Sequence, residues 1–434
     1  MAVREPLLLR VVVFFFVLST TFDAFTFAFT RDTETVSRVL GIVLVILFVG
    51  WPGAFRPRVR FLSRELRWFY VFAATTGIQQ LVRLSSVFST RQEFIGTLAY
   101  LQLFVMAFVL QDLTRDPRIY KSILTVVLIA YVGLSIATTF GVTSVTYSGS
   151  ESRVGVVGIN LNQLAYFYAV IAVSLVTWLL AEAKPLSVPG VAKMAALAFL
   201  FLGIARTGSR GGASALLTGL VVASLVSMRA RTVPRYLILV PLLFGGATYF
   251  LATQGALAER VTRTVEAGDT GTRQEILDAG LELARERPVQ GYGTMYGRIL
   301  GRALKYTNMA AHNTFLQVQL SFGLLGLAPF LLGLYGLARV GWKYRGSVWG
   351  GMWLAILAMT VVFGFVGHFA DAKFFWILAV LVANAPILIA GRARAANGAP
   401  SRARGDAPSV RRMNGEVAAR LAWRGVGREA GPGR

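Results

Sequence analysis

Long apolar runs recur along the sequence and constrain its fold more than any other feature. There are twelve such runs, at 11–29, 36–54, 68–88, 94–112, 119–141, 161–181, 191–207, 211–228, 234–252, 314–338, 348–368 and 374–391. A transmembrane helix needs about 20 mostly apolar residues, so these runs are suited to crossing a bilayer. They are apolar nearly all round, unlike helices of soluble cores, and they lack the period-two alternation of membrane β-strands. The sequence therefore predicts an all-α polytopic membrane protein with about twelve transmembrane helices.

The formal net charge of +23 raises the alternative of a nucleic-acid-binding protein. The placement of Lys and Arg argues against it, because they concentrate in alternate connections such as 56–67, 114–121 and 228–235. Short connections rich in Lys and Arg face the cytoplasm, so both termini are predicted to be cytoplasmic. The basic residues are then explained by membrane topology, and no nucleic acid partner is predicted. The tail at 392–434 is rich in Gly, Ala, Pro and Arg without periodicity, and it is predicted to be disordered and in contact with membrane lipid.

This topology divides the chain into four segments. Residues 1–252 contain spans one to nine, 253–313 form one large helical extracytoplasmic loop (the outer loop), 314–391 contain spans ten to twelve, and 392–434 form the cytoplasmic tail. The chain has no cysteine, so it offers neither a disulfide framework nor a thiolate metal site. Any chemistry is expected on the outer face, where the outer loop lies.

The outer loop contains a predicted amphipathic helix. Thr272 is suited to its N-cap, and Pro288 ends it shortly after Arg287. Its apolar stripe consists of Ile276, Leu277, Gly280, Leu281 and Ala284. Arg273 projects from this stripe, so its guanidinium needs an anionic partner. The structural alternative is that Arg273 snorkels or pairs with Glu275 or Asp269.

Further arginines lie at the predicted outer ends of the spans. Arg210 is flanked by Gly and Ser in "TGSRGG", Arg206 lies one turn earlier, and Arg153 lies in the predicted loop 148–163. Glycines beside an arginine leave room for a ligand, and small residues let helices approach closely. The structural alternative is that these arginines bind phospholipid headgroups at the membrane boundary.

The sequence contains two histidines. His312 precedes span ten beside Asn313 and Thr314, either of which can cap that helix, so a structural role is one alternative. An imidazole with an ordinary pKa of about 6.5 can also accept a proton near neutrality. His368 and Asp371 form another polar patch, between spans eleven and twelve, where interface anchoring is the expected role.

Arginines together with a neutral imidazole at headgroup depth suit a lipid-linked diphosphate as the ligand. Arginine binds phosphate oxygens bidentately and stays charged. The sequence has no Walker-type glycine-rich loop and no outward Asp-x-Asp pair, so neither a nucleotide nor a metal is predicted as a cofactor.

Five short motifs follow one another along the predicted outer face. They are "RVGVVGINLN" (153–162), "SRG" (209–211), "GTR" (271–273), "PVQGYG" (288–293), and "HNTFL" followed by "FGLLG" (312–326). In this order they resemble the O-antigen ligase and O-antigen polymerase superfamily of envelope glycosyltransferases. The resemblance covers residues 150–330, and the predicted spans fit it along the whole chain.

The resemblance implies transfer of a glycan from undecaprenyl diphosphate to an acceptor hydroxyl at the outer face of the cytoplasmic (inner) membrane, without a metal or other cofactor. The implied partners are the lipid-linked glycan donor and a lipid or glycan acceptor. Carried over by position, Arg210 and Arg273 hold the diphosphate and His312 acts as general base. Arg206 and Arg153 are further candidates for diphosphate binding. Attack opposite the leaving group would invert the anomeric centre.

Two positions depart from the family pattern, and two alternatives stay open. An aromatic residue often follows the loop arginine, but Ile276 and Leu277 stand there, and no second histidine adjoins His312 in the sequence. A ligase is favoured over a polymerase, because one outer loop carries both the Gly-x-Arg helix and the His-Asn pair. A transporter of lipid-linked glycan is the alternative from another class, although the chain lacks the repeated halves typical of transporters.

Overall fold

The structure is a computed structural model of the chain, and it describes a defined set of segments. The described residues are 7–20, 36–50, 63–84, 91–141, 144–147, 153–156, 160–181, 187–227 and 272–396, with isolated helical positions between 245 and 266. Glu5–Ile389 form one compact unit, and Met1–Arg4 with Ala390–Arg434 form a second. Of the second unit, only the helical residues 390–396 are described.

The described helices overlap every predicted span except the ninth. In chain order they are α1 (Leu7–Thr20), α2 (Val36–Gly50), α3 (Arg67–Leu84), α4 (Arg91–Leu113), α5 (Pro117–Thr139), α6 (Leu161–Ala181), α7 (Val188–Thr207), α8 (Arg210–Ser227), α9 (Arg273–Glu286), α10 (Tyr296–Ala303), α11 (Thr314–Lys343), α12 (Val348–Gly364) and α13 (Lys373–Ala396). Among the described residues, five helices are long and apolar enough to cross a membrane: α5, α6, α7, α11 and the Lys373–Ala390 part of α13. The chain is therefore a multi-pass helical membrane protein. The ninth predicted span, 234–252, lies outside the described residues apart from isolated positions, so the number of twelve spans stays a prediction.

Helix α6 is buried along nearly its whole length, and it sets the position of α8. Small residues let the two helices approach closely. A Cβ atom on Gly212 would come within 2.3 Å of the Ala165 Cβ atom, and one on Gly219 within 2.6 Å of the Val173 Cγ2 atom. The start of α8, and with it Arg210, is thereby held against the start of α6.

The segment before α6 contains a β-hairpin that the sequence analysis missed. β1 (Ser144–Tyr147) pairs antiparallel with β2 (Arg153–Val156), and Tyr147 lies opposite Arg153. Helices dominate the described residues, so the prediction of a helical membrane protein is confirmed, and the two-stranded hairpin is an addition to it. A strand of four residues is too short for a period-two pattern to stand out beside long apolar runs.

Helix α11 is interrupted, whereas the sequence predicted span ten as a continuous helix. Gly323 has a φ of 62° and a ψ of −160°, far from helical values. A break of this kind frees backbone groups that need partners in a membrane. The outer loop supplies them: the N–H groups of Leu324 and Leu325 donate to the carbonyls of Pro288 and Val289 at 2.8 and 3.2 Å. The "PVQGYG" segment therefore completes the hydrogen bonding of the broken helix.

Gly323→Ala is expected to destabilise the protein strongly. The new Cβ atom would lie 2.2 Å from the backbone of Val289. The positive φ costs an L-residue about 1–2 kcal/mol, and overpacking raises the loss in the free energy of unfolding to about 2–5 kcal/mol. The measurement is the midpoint of thermal unfolding in nanodiscs. Gly133→Ala, at a helical position with open space around it, is the control and should leave the midpoint unchanged or raise it. Equal midpoints for the two variants would contradict the docking of "PVQGYG" on the break.

Candidate active site

Arg210 is held at the start of α8 by the hydrogen bonds of its neighbours. α7 ends at Thr207, and the left-handed conformation of its C-cap residue Gly208 (φ 62°) lets the chain turn into α8. Ser209 Oγ accepts a hydrogen bond from Gly212 N at 3.1 Å and donates one to Asn162 Oδ1 at 2.9 Å. Ser209 thus ties the start of α8 to the start of α6. The "SRG" motif and the motif that ends at Asn162 are therefore in contact, with Arg210 half-buried beside them.

His312 lies in a tight turn directly before α11. Its φ is 49°, a left-handed conformation that is uncommon for residues other than glycine but enriched for Asn, Asp and His. Asn313 is the cap of α11, because its Oδ1 accepts hydrogen bonds from Phe315 N and Leu316 N, both at 3.0 Å. This turn holds the His312 side chain half-buried at the start of the helix.

The two histidines lie beside each other, although the sequence separates them widely. Thr314 Oγ1 donates a hydrogen bond to Gly367 O at 3.0 Å and accepts one from Phe369 N at 3.1 Å. The residues on either side of His368 are therefore bound to a residue two positions after His312. The centroids of the two imidazole rings are 6.3 Å apart, and the ring planes are inclined by 58°. The sequence suggested interface anchoring for His368, but the fold makes it a neighbour of His312.

The surroundings of His312 favour its neutral form. Burial lowers the pKa of His312 below its ordinary value of 6.5, and the charges of His368 and Arg273 lower it further. Both effects disfavour adding a positive charge to the ring. A half-buried imidazole of this kind is neutral at pH 7 and can accept a proton. The charge of Arg273 therefore acts on the imidazole of His312.

The predicted loop helix is present as α9, and it docks on α11. Its buried residues lie on one line at four-residue spacing: Ile276, Gly280 and Ala284. A Cβ atom on Gly280 would come within 2.7 Å of Leu316 Cδ2, so the two helices are in close contact. Leu281, which the sequence placed on the same stripe, is 43% exposed, because the buried face is narrower than predicted. Arg273, the first residue of α9, is half-buried at the edge of this contact.

Arg206 and Arg153 are placed differently from Arg210 and Arg273. Arg206 Nη1 donates a hydrogen bond to Thr139 O at the end of α5, at 2.7 Å, so Arg206 has a structural partner. Arg153 begins β2, and its side chain lies outside the described part of the chain. Diphosphate binding by these two residues stays a prediction.

Two residues that hold this end of the protein together, Gln163 and Arg83, were not predicted from the sequence. Gln163 Nε2 donates a hydrogen bond to His368 O at 3.0 Å, which ties the turn between α12 and α13 to the start of α6. Arg83 Nη2 donates to two carbonyls of the "PVQGYG" segment, at 2.8 and 2.9 Å. Gln163 had a signal in the sequence, because it directly follows the motif that ends at Asn162. Arg83 had none, because its partners lie on a distant element. His368 was noted as part of a polar patch, but nothing in the sequence indicated that it adjoins His312.

The starts of α8 and α11 therefore meet around one turn, and α9 packs on α11. The turn between α12 and α13 carries His368, and a Cβ atom on Gly211 would come within 2.6 Å of Val366 Cγ2 in that turn. This contact places the start of α8 beside the turn, and the neighbouring rings of His312 and His368 place the start of α11 there. Helix α9 packs on α11 through Gly280 and Leu316, and the charge of Arg273 acts on His312. Fixed positive charges next to a proton acceptor suit the binding of an anion and the removal of a proton from a neighbouring group.

The comparisons with known proteins agree with the motifs. No curated protein matches the chain. Residues 195–331 match the model of a family described as O-antigen ligase. The matched range runs from α7 into α11 and includes Arg206, Arg210, Arg273 and His312. Residues 195–331 thus carry an O-antigen ligase domain, and this match supports the resemblance that the motifs indicated.

Proposed function

We propose that the protein is a glycosyltransferase that moves a glycan from undecaprenyl diphosphate to an acceptor hydroxyl on the outer face of the cytoplasmic membrane. The observation that carries the proposal is the environment of His312: burial, His368 and Arg273 lower its pKa, so a neutral base lies in the field of the Arg273 cation. The O-antigen ligase domain supports the same reaction class. The reaction is metal-independent and inverts the anomeric centre.

On the donor side, Arg210 and Arg273 bind the diphosphate. Each is the first residue of a helix, α8 or α9, where backbone N–H groups and the helix dipole also favour an anion. Thr272 makes no side-chain cap hydrogen bond to α9, so the cap does not compete with a ligand there. Guanidinium groups pair with phosphate oxygens bidentately. Charge that develops on the departing diphosphate is thereby stabilised without a proton.

On the acceptor side, His312 takes the proton of the attacking hydroxyl. The hydroxyl oxygen forms a bond to the anomeric carbon, the bond from that carbon to the diphosphate oxygen breaks, and the electron pair leaves with the diphosphate. General base catalysis of this kind contributes about 10²- to 10⁴-fold to the rate. His312 would return its proton to water after product release.

Transfer in a defined system tests the proposal. The full-length protein in nanodiscs is mixed with an undecaprenyl diphosphate-linked glycan and an acceptor glycolipid, with and without EDTA, and products are followed by mass spectrometry. A product with one added block is expected for a ligase, and it should form equally in EDTA. The absence of any new glycosidic bond, while vesicles with the protein move lipid-linked glycan between leaflets, would replace the enzyme by a transporter.

A polymerase of the same superfamily is the second candidate. It would give a ladder of products in the same assay. The ligase is favoured because Arg273 and His312 both lie on the single segment 272–313, which folds against α11. The acceptor, whether a lipid or another glycan, follows from which product forms.

The proposed topology has cytoplasmic termini and an extracytoplasmic outer loop, and cysteine labelling tests it. The chain has no cysteine, so single substitutions report sidedness directly. Glu282→Cys and Asp371→Cys, both at exposed positions, should react with an impermeant maleimide on intact cells or spheroplasts. Arg64→Cys and Arg345→Cys, also at exposed positions, should react only after the membrane has been permeabilised. The reverse pattern would place the candidate site on the cytoplasmic face.

A further inference from the structure

We propose that His312 and His368 bind one hydroxyl group of the acceptor between their rings, with His368 donating a hydrogen bond to the oxygen whose proton passes to His312. This inference deepens the proposed function and rests on it. In this proposal His368 selects and orients the attacking hydroxyl. The acceptor site consists of the two imidazoles, one on each side of that hydroxyl.

The spacing of the rings suits a bridging oxygen. With ring centroids 6.3 Å apart, the ring nitrogens are beyond direct hydrogen-bond distance, yet one oxygen can lie within hydrogen-bond distance of both rings. In the described part of the chain neither imidazole forms a side-chain hydrogen bond, and the bond at His368 uses its backbone carbonyl. Half-buried donors and acceptors of this kind are expected to find a partner, and a hydroxyl supplies both a donor and an acceptor.

The backbone around both rings is held firmly. Thr314 Oγ1 bonds to the residues before and after His368, and Gln163 Nε2 bonds to the carbonyl of His368 itself. His312 is fixed from the other side, because Asn313 caps α11 directly after it. A pair of rings positioned in advance loses little freedom when the hydroxyl binds, which favours attack in one orientation.

The proton balance assigns different roles to the two rings. His312 accepts the proton, because burial and its neighbours keep it neutral. An imidazole carries at least one N–H group, so His368 can donate a hydrogen bond to the hydroxyl oxygen. That oxygen has two lone pairs, so one of them stays available to attack the anomeric carbon. The new bond joins that oxygen to the anomeric carbon, the bond to the diphosphate breaks, and His368 keeps its own proton throughout.

A kinetic experiment separates this role from a structural one. His368→Leu, His368→Gln and wild type are compared in nanodiscs, with the lipid-linked glycan saturating and the acceptor glycolipid titrated. For His368→Leu, kcat/KM for the acceptor should fall about tenfold, since one hydrogen bond is lost, while KM for the donor changes less than about twofold. His368→Gln keeps an N–H donor and should recover most of the loss.

Phe365→Leu is the control for disturbance of the turn, because Phe365 lies in the same turn and is 60% exposed. Its kinetics should equal those of wild type. Wild-type kinetics in His368→Leu would overturn the proposal. Equal losses in His368→Leu and Phe365→Leu, or equal losses for donor and acceptor, would overturn it as well.

Nuclear magnetic resonance of labelled histidine gives a second readout that needs no activity. The chain has two histidines, so ¹⁵N-histidine protein purified with a histidine-free tag gives two assignable ring systems. Arg273 on α9 is the charged group that lowers the pKa of His312 together with His368. Asp371 lies in the same turn as His368, and Arg210 directly precedes Gly211, which packs against Val366 in that turn. Removing His368 in His368→Gln should raise the pKa of His312.

An unchanged His312 titration would overturn the pairing and leave the proposed function standing. Failure of the proposed function has a different signature, in which wild-type protein transfers no glycan while His368→Gln still raises the pKa of His312. The kinetic and spectroscopic outcomes together therefore distinguish the two failures.

Discussion

His312→Asn should lower kcat for glycan transfer by about 10²- to 10⁴-fold, which is the usual contribution of a general base. Asparagine tolerates the left-handed conformation that His312 adopts at φ 49°, so the turn before α11 should persist. The amide cannot accept a proton at neutral pH. The loss should therefore appear in kcat, with KM for the lipid-linked donor nearly unchanged. The measurement is single-turnover transfer in nanodiscs together with the thermal unfolding midpoint.

The same residue predicts the pH dependence of the reaction. The pKa of His312 is lowered by burial, by His368 and by Arg273, so the neutral form that acts as base persists below the ordinary value of 6.5. Transfer should be fully active at pH 7 and should decline only as the pH falls through this lowered pKa. Wild-type turnover in His312→Asn would limit His312 to a structural role in the turn before α11. The same would follow if the residual activity of His312→Asn kept the acid limb of wild type.

The residues of the candidate site were predictable where chemistry and local pattern coincide. Arg210 was recognised from glycines beside a charge, Arg273 from a charge on an apolar stripe, and His312 from a rare titratable ring before a helix. The helix after Arg273 was likewise predicted almost to its bounds, because its amphipathic period and its stop at Pro288 are local signals.

The contacts between these residues were not predictable, because they depend on tertiary packing. His368 adjoins His312 only because Thr314 binds the backbone on both sides of it, and no periodicity encodes that bond. The break at Gly323 was missed for a similar reason: hydropathy continues through it, and its free backbone groups are satisfied by a loop far away in the sequence. The contact between the two histidines and the break at Gly323 each join segments that are far apart in the sequence. Hydropathy and motif patterns describe each segment by itself, so they do not indicate these contacts.

Arg210→Ala and Arg273→Ala should each lower kcat/KM for the lipid-linked donor by about 10²- to 10³-fold, comparable to removing one preorganised charge-stabilising group. Each arginine is the first residue of a helix, and the helix start itself attracts an anion. Each Ala variant keeps that weaker attraction but loses the guanidinium that binds the diphosphate. Arg210→Lys and Arg273→Lys keep the charge but lose bidentate geometry, and they should recover part of the rate. Arg285→Ala, at an exposed position on α9, is the matched control and should retain wild-type kinetics.

Arg273 allows a sharper test than Arg210, because its charge is proposed to bind the diphosphate of the donor and also lowers the pKa of His312. Arg273→Gln removes one of the effects that lower the pKa of His312, so that pKa should rise and the acid limb of the residual activity should move to higher pH. Arg273→Lys should leave the limb in place, since the positive charge stays. If Arg273→Gln loses donor binding while the acid limb of its pH profile stays in place, Arg273 does not act on His312. That result would contradict a single site in which the arginine that binds the diphosphate and the base that activates the acceptor are neighbours.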